Sequence, residues 1–116
     1  MHEKPEYEIE MYQAVNGKKP FEDWFKKLKD RTAKSKMASR LRRVARGNFG
    51  DHKPLKGTDK IFELREHYGK GYRIYYTIRN QKIVLILAGS DKAKQNKTIE
   101  KAKEYLADYE KEQDNA

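Results

Sequence analysis

The fold of this chain follows from one stretch, residues 63–94, which reads ELREHYGKGYRIYYTIRNQKIVLILAGSDKAK. The apolar run Ile83–Ala88 is short and bounded by turn residues, which predicts a strand covered on both of its faces. The segment Tyr72–Arg79 alternates, as a strand with two different faces does. One face would carry Tyr72, Ile74, Tyr76 and Ile78, and the other Arg73, Tyr75, Thr77 and Arg79. The pair Asn80-Gln81 between the two strands predicts a hairpin turn.

A third strand, Ile61–Arg65, precedes these two, and the short turns between all three predict an antiparallel meander. Arg65 and Arg73 flank the loop between the first two strands, so a hairpin would hold them close together. Two like charges side by side on a sheet face are destabilising unless something negative lies near them. The pair therefore marks a candidate anion site.

The rest of the chain predicts one further strand and three helices. The strand is Tyr7–Tyr12, and the helices lie near Pro20–Asp30, Ala33–Arg46 (with Thr32 as its N-cap) and Lys94–Glu110. The first two helices are expected to pack on the sheet as a pair. Gly47–Lys60 has the composition of a loop, and residues 110–116 that of a frayed polar tail. The prediction is an α+β protein with a single domain, residues 1–116, and a mostly antiparallel sheet.

Composition narrows the class of protein. A chain of 116 residues is large enough for one hydrophobic core, and its apolar residues, 36% of the total, are strongly patterned. The absence of cysteine excludes disulfides and thiolate zinc sites. No apolar run approaches the length of a membrane span, and no signal-peptide pattern follows the charged N-terminus. These features lead us to expect a cytoplasmic protein that does not enter a membrane.

The positive charge is concentrated in one segment. Overall, 27 Lys and Arg outnumber 18 Asp and Glu, for a net charge of +9. Residues 26–60 hold 13 basic and 3 acidic side chains, a local charge of +10, while the other segments nearly cancel. Such a field attracts polyanions and favours nucleic acid as a partner. The alternatives are a basic surface that is merely solvated, or one that binds an acidic protein segment.

The sequence lacks the motifs HExxH, GxSxG and the phosphate-binding loop, and its three histidines have no metal-ligand spacing. What remains is a phosphodiester site built from cations, without a metal or a cofactor. RNA carries its own nucleophile, the 2′-hydroxyl, and Arg or Lys can stabilise the charge that develops at phosphorus. Such a site would form if the approach to the final helix folded back over the hairpin, bringing together Arg65, Arg73, Lys92 and Lys94. The alternative is that these four residues are ordinary surface cations.

The pattern ELR-x5-GYRIYY-x6-IVLILAGSDKAKQNKTIEKAKEYL resembles the RelE/ParE toxin superfamily. Within that superfamily it is most similar to the HigB-like branch of phage-derived addiction module killer proteins. With Pro20, Trp24 and Phe25 upstream, the motifs in this order span nearly the whole chain. The resemblance implies a compact sheet with two N-terminal helices on one side.

The resemblance also implies a function. It implies the toxin of a type II toxin-antitoxin system, a ribosome-dependent endoribonuclease (an mRNA interferase) that cuts mRNA in the ribosomal A site. It implies a hetero-oligomer with a neutralising antitoxin, in this branch a small helix-turn-helix protein of the HigA kind. By motif position, Arg73 matches the arginine that grips the scissile phosphate, and Arg65 a second basic residue beside it. Lys92 and Lys94 match the basic step after the last strand.

Further residues are candidates for contacts with RNA or the ribosome. Two lysines of the loop and two arginines of the second helix are expected to bind phosphates: Lys53, Lys56, Arg43 and Arg46. Several nucleases of the superfamily place a tyrosine or histidine after the last strand, as base or stacking partner, and Asp91–Thr98 holds neither. The candidates for that role elsewhere are Tyr75, Tyr68 and His67. ParE-like members share the fold and poison gyrase without cutting RNA, so a gyrase-binding toxin or a non-catalytic nucleic-acid-binding module is the alternative.

Overall fold

The computed structural model describes residues 6–115. Its strands are β1 (Glu8–Met11), β2 (His52–Pro54), β3 (Phe62–Glu66), β4 (Tyr72–Arg79) and β5 (Ile83–Asp91). Its α-helices are α1 (Pro20–Lys27), α2 (Arg31–Ala45) and α3 (Gln95–Asp114), and a 3-10 turn, Lys92–Lys94, links β5 to α3. The predicted α+β class is confirmed.

The five strands form one mixed sheet in the order β1-β5-β4-β3-β2. The strands β3, β4 and β5 pair antiparallel, which confirms the predicted meander, while β1 lies parallel to β5 at one edge. Asn80 and Gln81 both have positive φ angles, 52° and 60°, and Lys82 N donates to the Arg79 carbonyl at 3.1 Å. These two residues therefore form the predicted hairpin turn.

Helices cover both faces of the sheet and enclose two hydrophobic cores. The helices α1 and α2 pack through Phe21 and Met37 on the face that carries Ile74. The helix α3 packs through Leu106 on the opposite face, which carries Tyr75. The predicted placement of the first two helices on one side is thus confirmed. Within residues 6–115, no helix combines the length and the apolar character that crossing a bilayer requires.

A close contact between α1 and β5 depends on glycine. A Cβ atom at Gly89 would lie 2.4 Å from Cζ3 and 2.5 Å from Cε3 of Trp24, far inside van der Waals contact. The indole ring therefore packs directly on the β5 backbone, and any side chain at this position would push α1 away from the sheet.

The start of α2 differs from the prediction. Asp30 is its N-cap, because Asp30 Oδ1 accepts a hydrogen bond from Ala33 N at 3.0 Å, and Thr32 already lies inside the helix. Since Asp30 serves the second helix, it does not extend the first one. The helix α1 ends at Lys27 instead.

Two other segments also differ from the prediction. The predicted loop Gly47–Lys60 contains the strand β2, because pairing with β3 overrides its loop-like composition. The predicted tail is helical to Asp114, four residues past Glu110. Glu110 forms ion pairs with Lys60 at 3.0 Å and Arg79 at 3.3 Å, and these contacts hold the last turns against the rest of the protein.

Candidate functional site

Arg73 is the second residue of β4 and lies on the face of the sheet that packs against α3. Its partners across the sheet are Arg65 on β3 and Ser90 on β5. Residues paired across neighbouring strands point to the same face, so the two arginines lie side by side, as the hairpin predicted. Arg73 is buried, with 7% of the residue's surface exposed. Its direction is therefore set by the sheet and by packing rather than by a loop.

A buried carboxylate, that of Glu63, lies next to Arg73. Glu63 on β3 is only 4% exposed, and its Oε2 lies 4.0 Å from Arg73 Nε. Its Oε1 lies 3.6 Å from Nζ of Lys53 on β2. Among residues 6–115, Arg73 Nε finds no hydrogen-bond partner. Buried charges are normally paired and fully hydrogen-bonded. The pair Arg73–Glu63 is not, so a role in function explains it better than a contribution to stability does.

Tyr75 does not suit the role of stacking partner or base. Its ring is fully buried on the α3 side of the sheet, so it cannot stack on a nucleotide base. Burial raises the pKa of the Tyr75 hydroxyl above its ordinary value, which keeps the phenol protonated. The hydroxyl lies 3.3 Å from Oγ of Ser90, the residue opposite Arg73 on β5. Tyr75 therefore belongs to the wall of the site.

Arg65 is held by Asp51, a residue of the segment before β2. Arg65 Nη2 and Nε donate to Asp51 Oδ1 at 2.8 and 3.1 Å. Nε2 of His67 lies 2.6 Å from the other oxygen, Oδ2. The hydrogen bonds from Arg65 and His67 lower the pKa of the Asp51 carboxyl below its usual value of 3.8. One carboxylate thus orients both candidate side chains.

Arg40 of α2 supports this arrangement from the other side of the sheet. The Arg40 side chain is buried, although the helix that carries it is rich in exposed basic residues. Its guanidinium donates to the carbonyls of Arg65 at 2.5 Å, Asp51 at 2.9 Å and Phe49 at 3.1 Å. Gly50 has a φ of +66°, and a Cβ there would lie 3.3 Å from Arg40 Nη2. Arg40 therefore ties the segment that carries Asp51 to β3.

Lys92 and the Arg73 guanidinium both lie close to Gly71. A Cβ atom placed on Gly71 would lie 3.5 Å from Lys92 Cβ and 3.9 Å from Arg73 Nη1. Gly71 has a φ of +78° and its carbonyl accepts from Lys92 N at 2.9 Å, so the start of the 3-10 turn is fixed against β4. Lys94, two residues on, is exposed, and its backbone N donates to Asp91 Oδ1 at 3.0 Å. The side chain of Lys92 is also exposed.

The other predicted residues divide between the two sides of the sheet. Lys53 and Lys56 line a cavity next to Glu63, on the side of Arg73. Tyr68 lies beneath Nζ of Lys36 of α2, 5.4 Å from its ring centroid, and so faces away from Arg73.

Arg43 and Arg46 are exposed residues at the end of α2, the helix that packs on the face opposite Arg73. The sheet separates them from Arg73, and their contact with phosphates of RNA or of the ribosome stays a prediction. They belong to a second basic surface, which we call the α2 surface: Arg31, Lys36, Arg42, Arg43 and Arg46. The sequence holds no Asp or Glu between residues 31 and 50.

Sequence reasoning assigned no role to Glu63, Ser90, Asp51 or Arg40. The alternation of β3 places Glu63 on the face of Arg65, and this was the available signal for it. Asp51 and Arg40 come from distant segments with no local pattern, and Ser90 lies beyond the predicted end of the last strand at Ala88. Within residues 6–115, no group of three or more His, Asp or Glu side chains converges in a way that could hold a metal ion.

This geometry suits chemistry on a phosphate. Arg65 and Arg73 place two cations on one sheet face, and a guanidinium can bind two phosphate oxygens at once. Glu63 is a buried carboxylate that can accept a proton beside Arg73.

Comparison with known proteins identifies the family. Residues 23–110 match the family model described as "Phage derived protein Gp49-like (DUF891)". The chain is also 46% identical over 83 residues to an uncharacterised protein of Haemophilus influenzae, an alignment that covers 72% of this chain and 82% of that protein. The family match takes in the 3-10 turn and every strand from β2 to β5. The chain therefore belongs to the Gp49-like family of phage-derived proteins.

Proposed function

We propose that this protein is the toxin of a type II toxin-antitoxin system and that it cleaves mRNA on the ribosome as a metal-independent endoribonuclease. The observation that carries the proposal is the pairing of Arg65 with Arg73 on one sheet face, with the buried carboxylate of Glu63 beside Arg73. Membership of a phage-derived family that is related to RelE-like toxins supports a toxin-antitoxin context. The proposal places the protein in the cytoplasm, where ribosomes translate.

In this mechanism the substrate provides the nucleophile. The 2′-oxygen of one nucleotide attacks the adjacent phosphorus, and its proton passes to the Glu63 carboxylate. Arg73 and Arg65 stabilise the negative charge that builds up on the phosphoryl oxygens. Because Arg73 is fixed by β4, it needs no reorganisation when that charge develops.

The P–O5′ bond then breaks, and the departing 5′-oxygen takes a proton from the ammonium of Lys92. The products are a 2′,3′-cyclic phosphate and a 5′-hydroxyl end. Solvent exchange returns the proton from Glu63 to Lys92, whose side chain is exposed. No metal and no cofactor take part in these steps.

In the free protein each arginine already has a carboxylate neighbour. Asp51 binds Arg65, and Glu63 lies 4.0 Å from Arg73. A substrate phosphate must compete with these carboxylates, so we expect weak binding of free RNA and efficient cleavage only where the ribosome presents the strand. This expectation agrees with a ribosome-dependent activity.

The test is to induce the protein in growing cells and map mRNA 5′ ends by primer extension. Cuts at codon spacing that disappear when translation is blocked would support the proposal. Glu63→Gln removes the proton acceptor with little change of shape, and we expect it to lose the cuts. The matched control is Glu104→Gln, because Glu104 is an exposed residue of α3. Codon-spaced cuts that persist unchanged in Glu63→Gln would remove Glu63 from the mechanism.

The proposal also includes an antitoxin, a small helix-turn-helix protein of the HigA kind that forms a hetero-oligomer with the toxin. An acidic or amphipathic segment of it would cover the sheet face around Arg73 or part of the nearby basic surface. Hydrogen exchange of the complex should then show protection in β3, β4 and the 3-10 turn. A fully neutralised complex in which this surface exchanges as fast as in the free toxin would contradict a blocking mechanism.

A second candidate function is a toxin that binds gyrase or nucleic acid without cutting RNA. One observation favours it: the freely exposed cations of the α2 surface lie away from Arg73, whereas Arg65 and Arg73 are close to carboxylates. DNA damage with intact mRNA after induction would support gyrase as the target. Intact mRNA and intact DNA would support binding alone.

A further inference from the structure

A cavity of about 280 Å³ opens on the α3 side of the sheet, directly beside the pair Arg73–Glu63. It lies between the segment that follows β2 and the first turn of α3. Its polar lining consists of Lys53, Lys56, Glu63, Gln95 and Asn96, and its apolar lining of Pro54, Leu55 and Ile99. Glu63 has a part in the proposed cleavage, but the two amides and the apolar walls have none.

Glu63 connects the cavity to the proposed reaction site. One carboxylate oxygen lies 3.6 Å from Lys53 Nζ in the cavity wall, and the other lies 4.0 Å from Arg73 Nε. A group bound in the cavity is therefore an immediate neighbour of a phosphate bound by Arg73. Glu63 is also the most buried polar residue of the lining.

The chemistry of the lining decides which part of an RNA chain fits. Lys53 and Lys56 at the exposed rim could meet a phosphate, but deeper in the cavity a phosphate would meet the buried Glu63 carboxylate, and like charges repel. A nucleobase is neutral and flat, so its faces can pack on the apolar walls. Its edge carries both donors and acceptors, which side-chain amides such as Gln95 and Asn96 can match. The volume of the cavity is at the lower end of the range for ligand pockets, so it has room for one base and not for several.

We infer that this cavity binds the nucleobase next to the scissile phosphate and that Gln95 and Asn96 select that base. The inference rests on the proposed function, because it assigns a base-reading pocket to the same RNA-cleaving site. The two amides begin α3, so their positions are set by a long, well-packed helix. Single-stranded RNA is the form whose base edges are free to be read in this way.

The experiment compares cut positions among three proteins in a translating extract, by sequencing RNA 5′ ends. The wild type should show an uneven base composition at one position next to the cut. In the double variant Gln95→Ala/Asn96→Ala the preference for that base should be about tenfold weaker, which is the discrimination that one good base contact provides. The double variant should still cut RNA. Gln113→Ala is the matched control, because it makes the same change in the same helix roughly 27 Å away. A base preference in the double variant equal to that of the wild type would overturn the inference.

A binding measurement separates this inference from the proposed function. The probes are the four nucleoside 3′-monophosphates, titrated into ¹⁵N-labelled protein and followed by NMR. At least one should shift the backbone signals of residues 95–99, and the double variant should bind it about fivefold or more weakly. Equal binding by wild type and double variant would refute the cavity. A wild type that cuts no RNA but binds nucleotide here would refute the nuclease and keep the cavity.

Discussion

Replacing Arg73 by methionine separates the energy that Arg73 contributes to folding from its proposed role in cleavage. Methionine keeps most of the buried volume and removes the charge, so the change strands the Glu63 carboxylate. Breaking a buried ion pair costs about 3–5 kcal/mol in free energy of unfolding. Here the Nε–Oε2 distance is 4.0 Å and the Lys53 ammonium remains 3.6 Å from Glu63, so we expect the lower end, about 3 kcal/mol. The melting temperature should fall by roughly 10 °C.

The double variant Arg73→Met/Glu63→Gln removes both charges and should recover stability to within about 1 kcal/mol of the wild type, because no unpaired ion stays buried. Cleavage should not recover, since loss of one fixed electrostatic donor costs on the order of 10²–10³ in rate. Urea unfolding followed by circular dichroism gives the stabilities, and mapping of mRNA 5′ ends gives the activity. If folded Arg73→Met still cuts mRNA at the wild-type rate, Arg73 has no part in the mechanism. If it is as stable as the wild type, the pair with Glu63 carries no folding energy.

Three further predictions follow from other parts of the molecule. Because the pKa of Asp51 is lowered, its contribution to stability is present above about pH 4 and is lost as the pH falls through the lowered pKa. In urea titrations at different pH values, Asp51→Asn should show a smaller loss of stability at acid pH than the wild type. An equal loss of stability in both proteins would contradict this prediction. Gly89→Ala should destabilise the fold by about 1–3 kcal/mol, because the new methyl group overlaps Trp24; an unchanged thermal melt would disprove the contact. Arg43→Ala/Arg46→Ala should weaken the salt dependence of RNA binding, measured by fluorescence anisotropy. The slope of log affinity against log salt concentration should fall by about 1 for each lost phosphate contact, and the cut positions should stay the same. A slope identical to that of the wild type would exclude the α2 surface from RNA binding.

Local sequence pattern determined the central sheet and the core of the candidate site. Alternation with a period of two assigns each residue of β4 to a face, and short turns join the strands in sequence, so the side-by-side placement of Arg65 and Arg73 follows from the hairpin alone. The same reasoning found the Asn80-Gln81 turn and the buried strand β5. These features depend on neighbours a few residues apart, which is the range over which a sequence pattern carries structural information.

Only the tertiary structure decided what surrounds the two arginines. The partner of Arg65 is the Asp51 carboxylate, and Arg40 of α2 binds the backbone carbonyl of Asp51. No periodicity connects these residues, because the contacts arise when separate layers pack. Packing of α3 buries Tyr75 and removes it as a stacking partner, and the sheet separates the α2 surface from Arg73. A pattern along the chain encodes which face a side chain takes. The charge that it meets there depends on how remote segments pack, and on how much water they exclude.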